Sequence, residues 1–579
     1  MATIISNQKR YAALLLFGII IIASFMRLYN IAQTPPGLYP DEAMNGNNAL
    51  EALSTGQFKV FYPENNGREG FFINIQALSI AVFGNEPWAL RLISALFGIM
   101  TVLGVYFLTR ELFLPSDKTH SKEDEANGGL KRHERIALLA TFLIATSFWH
   151  INFSRIGFRA IMAPFFATWG TYLTALTARK LREFKFRQKA SNIHLELGAP
   201  TVFAIPTEKT YWGLNLYSLL CAGAAGFVFG LGFNSYIAYR VMPLIPVAMF
   251  AYWFFAMKAF RKELLKAFVI FCGFAFLAAI PLLWHFASTP QDFLGRTSQI
   301  SIFSSEHPIF ELIINIGKTI GMIFIQGDLN WRHNISGRAE VFWPVAIMFL
   351  LGIFAALHAA VDFIVRLVKR TAFEERTLTE TEALASPAEH AGPLALLVPL
   401  LWFLVAMLPV VMSDEGIPHA LRSILMIPPV FIFAGAGGIW LYDHFIAFAK
   451  GAESESTWSH VKGMLVTVFT VIILILLPTE AYYMYFQKWA MDPNTYGAFS
   501  QNYLDLGREI AAIPNDVPKY IIVNAGGTDV RGIPMPAQTV MFITDSFTPE
   551  KQRMRNIHYI LPGHENDIPD GARTFTIDP

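Results

Sequence analysis

The feature that most narrows the possible folds is a succession of apolar runs, each close to the roughly 20 residues a helix needs to cross a bilayer. About eleven occur, near 11-29, 89-109, 136-152, 160-178, 213-232, 240-258, 266-284, 343-365, 393-412, 423-441 and 463-480. Charged residues make up only 15% of the chain, against roughly 25% in ordinary soluble domains. These runs predict an α-helical polytopic membrane protein. An odd number of spans puts the two ends of the chain on opposite sides of the bilayer.

The connecting segments set the orientation. Arg110, Lys118, Lys122, Lys131, Arg132 and Arg135 crowd one loop, and Arg179, Lys180, Arg182, Lys185, Arg187 and Lys189 the next but one. Lys258, Arg261, Lys262 and Lys266, then Arg366, Lys369 and Arg370, complete the series, and the positive-inside rule makes all of these loops cytoplasmic. A multi-pass protein of the plasma (cell inner) membrane with a cytoplasmic N-terminus is expected. The first run follows Lys9 and Arg10 but lacks an A-x-A cleavage pattern, so it is expected to stay as a helix. FFINIQALSIAVFG (71-84) is too short to span, and counting it as a span would turn every later basic loop outward. It is placed at the outer interface. The first outer loop then runs over 30-88 and a large one over 285-342.

Residues 1-485 are expected to form the membrane domain and 486-579 a small extracytoplasmic α/β domain. That tail combines an amphipathic stretch near 500-513 with YIIVNA, TVMFIT, NIHYIL and TFTI, which carry the β-branched and aromatic residues of short strands. Its NAGGTDVRG loop lacks the spacing of a dinucleotide fingerprint. Glycines at 223, 226, 230 and 232, and at 435, 437 and 438, lie inside apolar runs and indicate close helix packing. Cys221 and Cys272 sit in apolar runs without ligand spacing, so neither a disulfide nor a cysteine metal site is expected. A net charge of +1 with no basic face argues against nucleic-acid binding.

On the outer side, polar residues come as isolated arginines, histidines and acids in aromatic or glycine-rich sequence. Asp41 and Glu42 open the first loop, Arg68 and Glu69 close its polar half, and Arg91 begins the second span. HINFSRIGFRA supplies His150, Arg155 and Arg159, and SYIAYR supplies Tyr236, Tyr239 and Arg240. GDLNWRHNISGR contributes Asp328, Arg332, His333 and Arg338, and SDEGIPHALRS contributes Asp414, Glu415, His419 and Arg422. Asp41 also suits a helix N-cap, and arginines at span ends commonly reach lipid headgroups. Several arginines on the side that the positive-inside rule disfavours nevertheless point to an anionic ligand, since the guanidinium fork matches phosphate oxygens. A lipid phosphate at the interface would be reached by Arg91, Arg240, Arg332 and Arg422, with Asp41 as the base that deprotonates an acceptor hydroxyl. His150, His285, His333 and His419 fall near the outer face, yet none shows H-x-x-x-H spacing, so hydrogen bonding to substrate or headgroups is expected rather than a zinc site.

The Asp-Glu pair after the first span, the interfacial helix, PWALRLISALFGIMTVLGVYFLTRELF and FWHINFSRIGFRAIMAPF resemble the GT-C glycosyltransferases that use polyprenyl-phosphate sugars. The likeness is to the protein O-mannosyltransferases and their bacterial relatives, including aminoarabinose transferases (the family 39 type), and is best over about 25-180. It implies a GT-C fold with Asp41 as catalytic base, Glu42 beside it, and Arg91 supporting the site. Where many members carry His-Pro-Pro, this chain has Arg68, Glu69, Gly70 and Phe71. Glu69, Arg68, Arg155, Arg159, Tyr236, His333 and His419 are therefore assigned to sugar or acceptor. The resemblance implies inverting transfer from a polyprenyl-phosphate-linked sugar to a protein, glycan or lipid hydroxyl, with membrane lipids around the site and no required cofactor; a divalent metal beside Asp41 is the variant. The competing expectation is a polyprenyl-linked glycan transporter or flippase without transfer activity.

Overall fold

The first helix, α1 (Ala2–Leu28), is followed by three elements of the first outer loop: α2 (Pro40–Thr55), a hairpin of β1 (Phe61–Tyr62) and β2 (Arg68–Glu69), and α3 (Gly70–Phe83). The bundle continues with α4 (Pro87–Leu112), α5 (Arg132–Ala145), α6 (Phe148–Arg155), α7 (Met162–Glu196), α8 (Leu216–Leu231), α9 (Leu244–Ala256) and α10 (Arg261–Ser288). It closes with α11 (Pro308–Phe324), α12 (Trp343–Phe373), α13 (Ala391–Val411), α14 (Ile427–Lys450) and α15 (Thr457–Tyr482). The computed structural model describes residues 2–115, 130–196, 210–293, 302, 306–373, 391–413, 416–450 and 457–579. Asp414 and Glu415, and parts of the basic loops, lie outside them.

Among the described residues nine helices are long and apolar enough to cross a membrane, and α5 with α6, bent by 57°, make a tenth. The eleventh expected run, 160-178, lies on α7, which continues as a polar helix well past the apolar stretch. The 14-residue α3 is apolar but short, as expected of an interfacial helix. Glycine sets the closest helix contacts: a Cβ on Gly226 or Gly230 of α8 would collide with the backbone carbonyls of Phe271 and Ala275 on α10. Gly437 of α14 and Gly352 of α12 meet in the same way.

One end of the bundle carries the basic residues in ion pairs: Arg110 with Glu134, Arg179 with Glu111, Arg135 with Asp443. The opposite end carries the loops of interest. There α2 starts at Pro40, whose ring suits a first helical turn, and Glu42 reaches back to the Tyr39 N–H at 3.4 Å. The N-cap is therefore Tyr39 and not Asp41, which sits inside the first turn. Gly56, at φ 71°, ends the helix in the left-handed conformation that glycine adopts without penalty. Within 285-342, expected as a loop, α11 turns Asn315 and Thr319 inward and leaves Ile309, Phe310 and Ile313 exposed.

Beyond α15 a π-helical turn (Tyr483–Trp489) leads through α16 (Pro493–Ala498) and α17 (Gln501–Ala511) into a three-stranded parallel sheet. Its central strand Lys519–Val523 lies between Ile557–Ile560 and Arg573–Ile577. TVMFIT is not a strand: Gln538–Thr544 form a helix, α18. Its residues are buried on more than one side, with Val540 and Met541 in the tail core and Phe542 against Leu38 and Ala43 of the first loop and Leu90 of α4. Tertiary burial overrides strand propensity here. The tail thus packs on α2: Asn47 donates to the carbonyl and side-chain oxygen of Gln538, each at 3.0 Å, and Thr539 donates to the Leu38 carbonyl at 2.9 Å.

Candidate functional site

The two adjacent acids of loop 1 are separated by the helical turn that carries them. Glu42 is fully buried and receives Arg91 on both oxygens, Nε to Oε1 at 2.9 Å and Nη2 to Oε2 at 3.1 Å. Its Oε1 also accepts the Gly157 N–H at 2.7 Å. Arg91, equally buried, gives its remaining donors to the carbonyls of Pro35 (2.6 Å) and Gly37 (2.9 Å). Every nitrogen of this guanidinium is engaged inside the protein, so Arg91, expected at the phosphate, and Glu42, expected beside the base, meet in a closed buried pair. Together they tie the first outer loop to α4 and to the turn after α6.

Asp41 points the other way. It is half-buried, accepts from Asn65 Nδ2 at 2.6 Å, and forms no ion pair among the described residues. Tyr39 stands between it and Arg332, whose guanidinium lies 3.9 Å from the ring centroid. Burial, then the Asp41 charge, raises the Tyr39 pKa, and Arg332 partly offsets them. Behind Asp41, Arg68 donates to Asn45 Oδ1 (2.6 Å) and Asn48 Oδ1 (2.5 Å) on α2. Burial and the neighbouring Arg159 bring Arg68 down to about 10, with Asp41 and Glu64 acting in the opposite sense. Arg159 pairs with Glu69 at 2.7 Å, and Arg240 lies near enough to Glu69 to feel its charge. Arg240 donates to the Phe293 carbonyl at 2.8 Å and rests 4.0 Å from that ring's centroid. Tyr236 is half-buried immediately before the short turn that carries Arg240.

A second group gathers beside Arg332. Asp328 Oδ2 lies 2.8 Å from His333 Nδ1 and 3.8 Å from His419 Nδ1, and the two imidazoles face each other at 4.9 Å. Burial alone would raise the Asp328 carboxyl, but the bond from His333 and the backbone N–H of Asn330 hold it below the usual range. Burial lowers His333, and it takes His419 down to about 3 with help from the neighbouring His333 ring. Arg422 contacts Ser413 Oγ and, with Arg332, flanks both histidines. These are the described residues that could hold a metal ion.

Other expected site residues lie elsewhere. Arg155 is buried and donates to the carbonyls of Met26 (3.1 Å), Tyr29 (2.7 Å) and Thr34 (2.8 Å), beneath Tyr485 and Phe486. It fastens α6 to the end of α1. His150 contacts Arg27 at 2.6 Å, and His285 contacts Asp292 at 2.8 Å, so of the four outer histidines only His333 and His419 come together. Asn65 and Tyr39 escaped the sequence reading. An asparagine in a polar turn and a tyrosine before a proline carry no signal until folding sets them against Asp41.

No protein-family model and no curated protein sequence matches the chain. Solved structures do. The oligosaccharyltransferase of Archaeoglobus fulgidus, crystallised with a tethered acceptor peptide containing the NVT sequon, is similar with a TM-score of 0.51 at 12% identity, over 96% of this chain and 64% of its own. ArnT from Cupriavidus metallidurans bound to undecaprenyl phosphate gives a TM-score of 0.48 at 11% identity, over 95% of this chain and 89% of its own. The fold is GT-C. The chain spans 64% of the length of the archaeal protein, and at this identity the likeness concerns the fold alone. A GT-C bundle accounts for the gathering of residues 30-88, 326-342 and 416-422 at one end.

Proposed function

We propose that this chain is an inverting glycosyltransferase of the plasma membrane that moves a sugar from a polyprenyl-phosphate donor to an acceptor hydroxyl at the extracytoplasmic face. The observation that carries it is the split between the two acids. Glu42 is locked to Arg91, whereas Asp41 keeps an unpaired carboxylate, oriented by Asn65, next to a Tyr39–Arg332 stack and the Arg68–Arg159–Glu69–Arg240 chain.

In the proposed step Asp41 takes the proton of the acceptor hydroxyl as the oxygen attacks the anomeric carbon. The bond from that carbon to the phosphate oxygen breaks, and its electron pair leaves with the phosphate. Arg332, Arg422 and Arg240 hold this anion, worth several kcal/mol when such donors are preorganised. A lipid phosphate is stable as an anion, so one carboxylate suffices, unlike the two of glycoside hydrolases. The resemblance of the first outer loop and α4 to aminoarabinose and O-mannosyl transferases favours the polyprenyl donor. The acceptor is a hydroxyl of a protein, a glycan or an envelope lipid. Residues 486-579 act as an accessory unit covering α2, and the basic residues at the far end of the bundle favour a cytoplasmic N-terminus.

Radiolabelled polyprenyl-phosphate sugar incubated with the purified protein and candidate acceptors tests this directly. Transfer that Asp41→Asn reduces about 10²–10⁴-fold supports the assignment. Uptake into vesicles without transfer identifies a carrier.

A further inference from the structure

Asp328, His333 and His419 place one carboxylate oxygen and two imidazole nitrogens within 4.8 Å of one another, on two loops to which the transfer step assigns only arginines. The carboxylate is held from behind: Oδ1 accepts the Asn330 N–H at 2.8 Å and Oδ2 the Ala420 N–H at 2.8 Å. Both loops are fastened to α6. Asn152 donates to the carbonyls of Arg332 and His333, each at 2.8 Å, and Trp149 Nε1 to that of Ala420 at 3.1 Å.

A simple hydrogen-bonded latch explains only half of this. His333 Nδ1, at 2.8 Å, donates to Asp328. His419 Nδ1 stands 3.8 Å from the same oxygen, beyond hydrogen-bond reach, and accepts a long bond from the Arg422 N–H at 3.4 Å. Two acceptor atoms, the His419 Nδ1 and the Asp328 Oδ2, thus stand 3.8 Å apart with only that long bond on the nitrogen. Ligands around a tetrahedral ion at roughly 2.0–2.2 Å sit about 3.4 Å apart, between the 2.8 Å and 3.8 Å that separate Asp328 from the two imidazoles, so small side-chain shifts would bring the three donors onto one ion. Two nitrogens and one oxygen suit zinc-type ions, whereas magnesium and calcium take oxygen ligands.

We propose that Asp328, His333 and His419 form a binding site for a divalent transition metal of the zinc type, with three protein donors and one position open to water or an anion. Arg332 and Arg422 beside it favour an anionic oxygen as the fourth ligand. On binding, His333 changes tautomer: Nδ1 gives up its proton, the ion takes that place, and the ring carries its one proton on Nε2.

The test uses the full chain in detergent, free of affinity tag and pretreated with chelator. Zinc chloride is titrated against a chromogenic chelator, and cobalt(II) is followed by visible absorption. One equivalent of zinc, unaffected by millimolar magnesium, and an intense tetrahedral cobalt spectrum are expected. Residues that only hydrogen-bond to a metal's ligands are worth about 10–100-fold in affinity, so loss of a ligand itself in His419→Ala should weaken zinc binding by about 100-fold or more. Asp328→Asn, which keeps the side-chain shape, should do the same with an unchanged melting temperature at His419→Ala. Absence of stoichiometric binding, or zinc affinity in both variants within threefold of the parent, would overturn the site. The titration reads metal alone, so its outcome is independent of whether the chain transfers sugar.

Discussion

Replacing Glu42 by alanine tests the division of labour between the adjacent acids. The change strands the Arg91 guanidinium, 1% exposed, without a counter-charge. Breaking a buried ion pair by removing one partner costs about 3–5 kcal/mol. It also leaves the Gly157 N–H, 2.7 Å from Glu42 Oε1, without its acceptor, worth about 1–3 kcal/mol for a buried donor. The two losses overlap, because one carboxylate serves both, so about 4 kcal/mol or more is expected. Asp41→Ala removes a half-buried side chain with one bond to Asn65, and should cost about 1 kcal/mol. Thermal unfolding in detergent, followed by tryptophan fluorescence and by the monomer peak after graded heating, separates them. Glu42→Leu with Arg91→Met should recover part of the loss, since no charge is then stranded; the carbonyls of Pro35 and Gly37 remain unpaired and limit the recovery. If Glu42→Ala melts with the parent while Asp41→Ala collapses, the roles have been assigned the wrong way round.

Arg332→Ala and Arg422→Ala should each raise the donor KM about ten- to a hundredfold, as expected for lost charge-assisted contacts, with little change in melting temperature. Gly226→Leu should lower stability by about 1–3 kcal/mol or block expression, because a side chain there meets the Phe271 carbonyl; the folded fraction on size exclusion reports it. Arg531 bridges the tail to loop 1 through Glu51 at 2.9 Å and Glu64 at 2.6 Å. Burial would raise the Glu64 carboxyl, but the bond from Arg531 outweighs it and lowers its pKa. The contribution of this pair is therefore complete above about pH 4.5 and lost as pH falls through the depressed value. Hydrogen exchange in 525-547 should quicken over that acid window, and Arg531→Ala should show the faster exchange already at neutral pH.

The helices were legible because a bilayer imposes a length and composition that one sequence displays, and the 14-residue limit of α3 was visible in the same way. The charged loops gave the two ends of the bundle. Side-chain roles were harder to read. Glu42 and Arg91 are 49 positions apart and look as available as Asp41 does; only folding shows them spent on each other. Arg155 misleads for the same reason, since an arginine in a polar-aromatic motif looks the same whether it faces a ligand or three carbonyls. TVMFIT has strand composition but is enclosed by two different neighbours, and enclosure is a tertiary property. Asp328 and His419, 91 positions apart, share no spacing that a linear pattern search detects.

The helix that bears Asp41 rests on α18, and Asn47 reaches Gln538 across 491 positions of sequence. At roughly 5–20 residues per second, a ribosome takes on the order of 25–100 s to supply that second half. Throughout that interval the aspartate's platform has no roof, and the Asn47 side chain and the Leu38 carbonyl lack their partners. Docking of the distal segment is thus the closing act of assembly, and chains cut short before it should hold α2 more loosely.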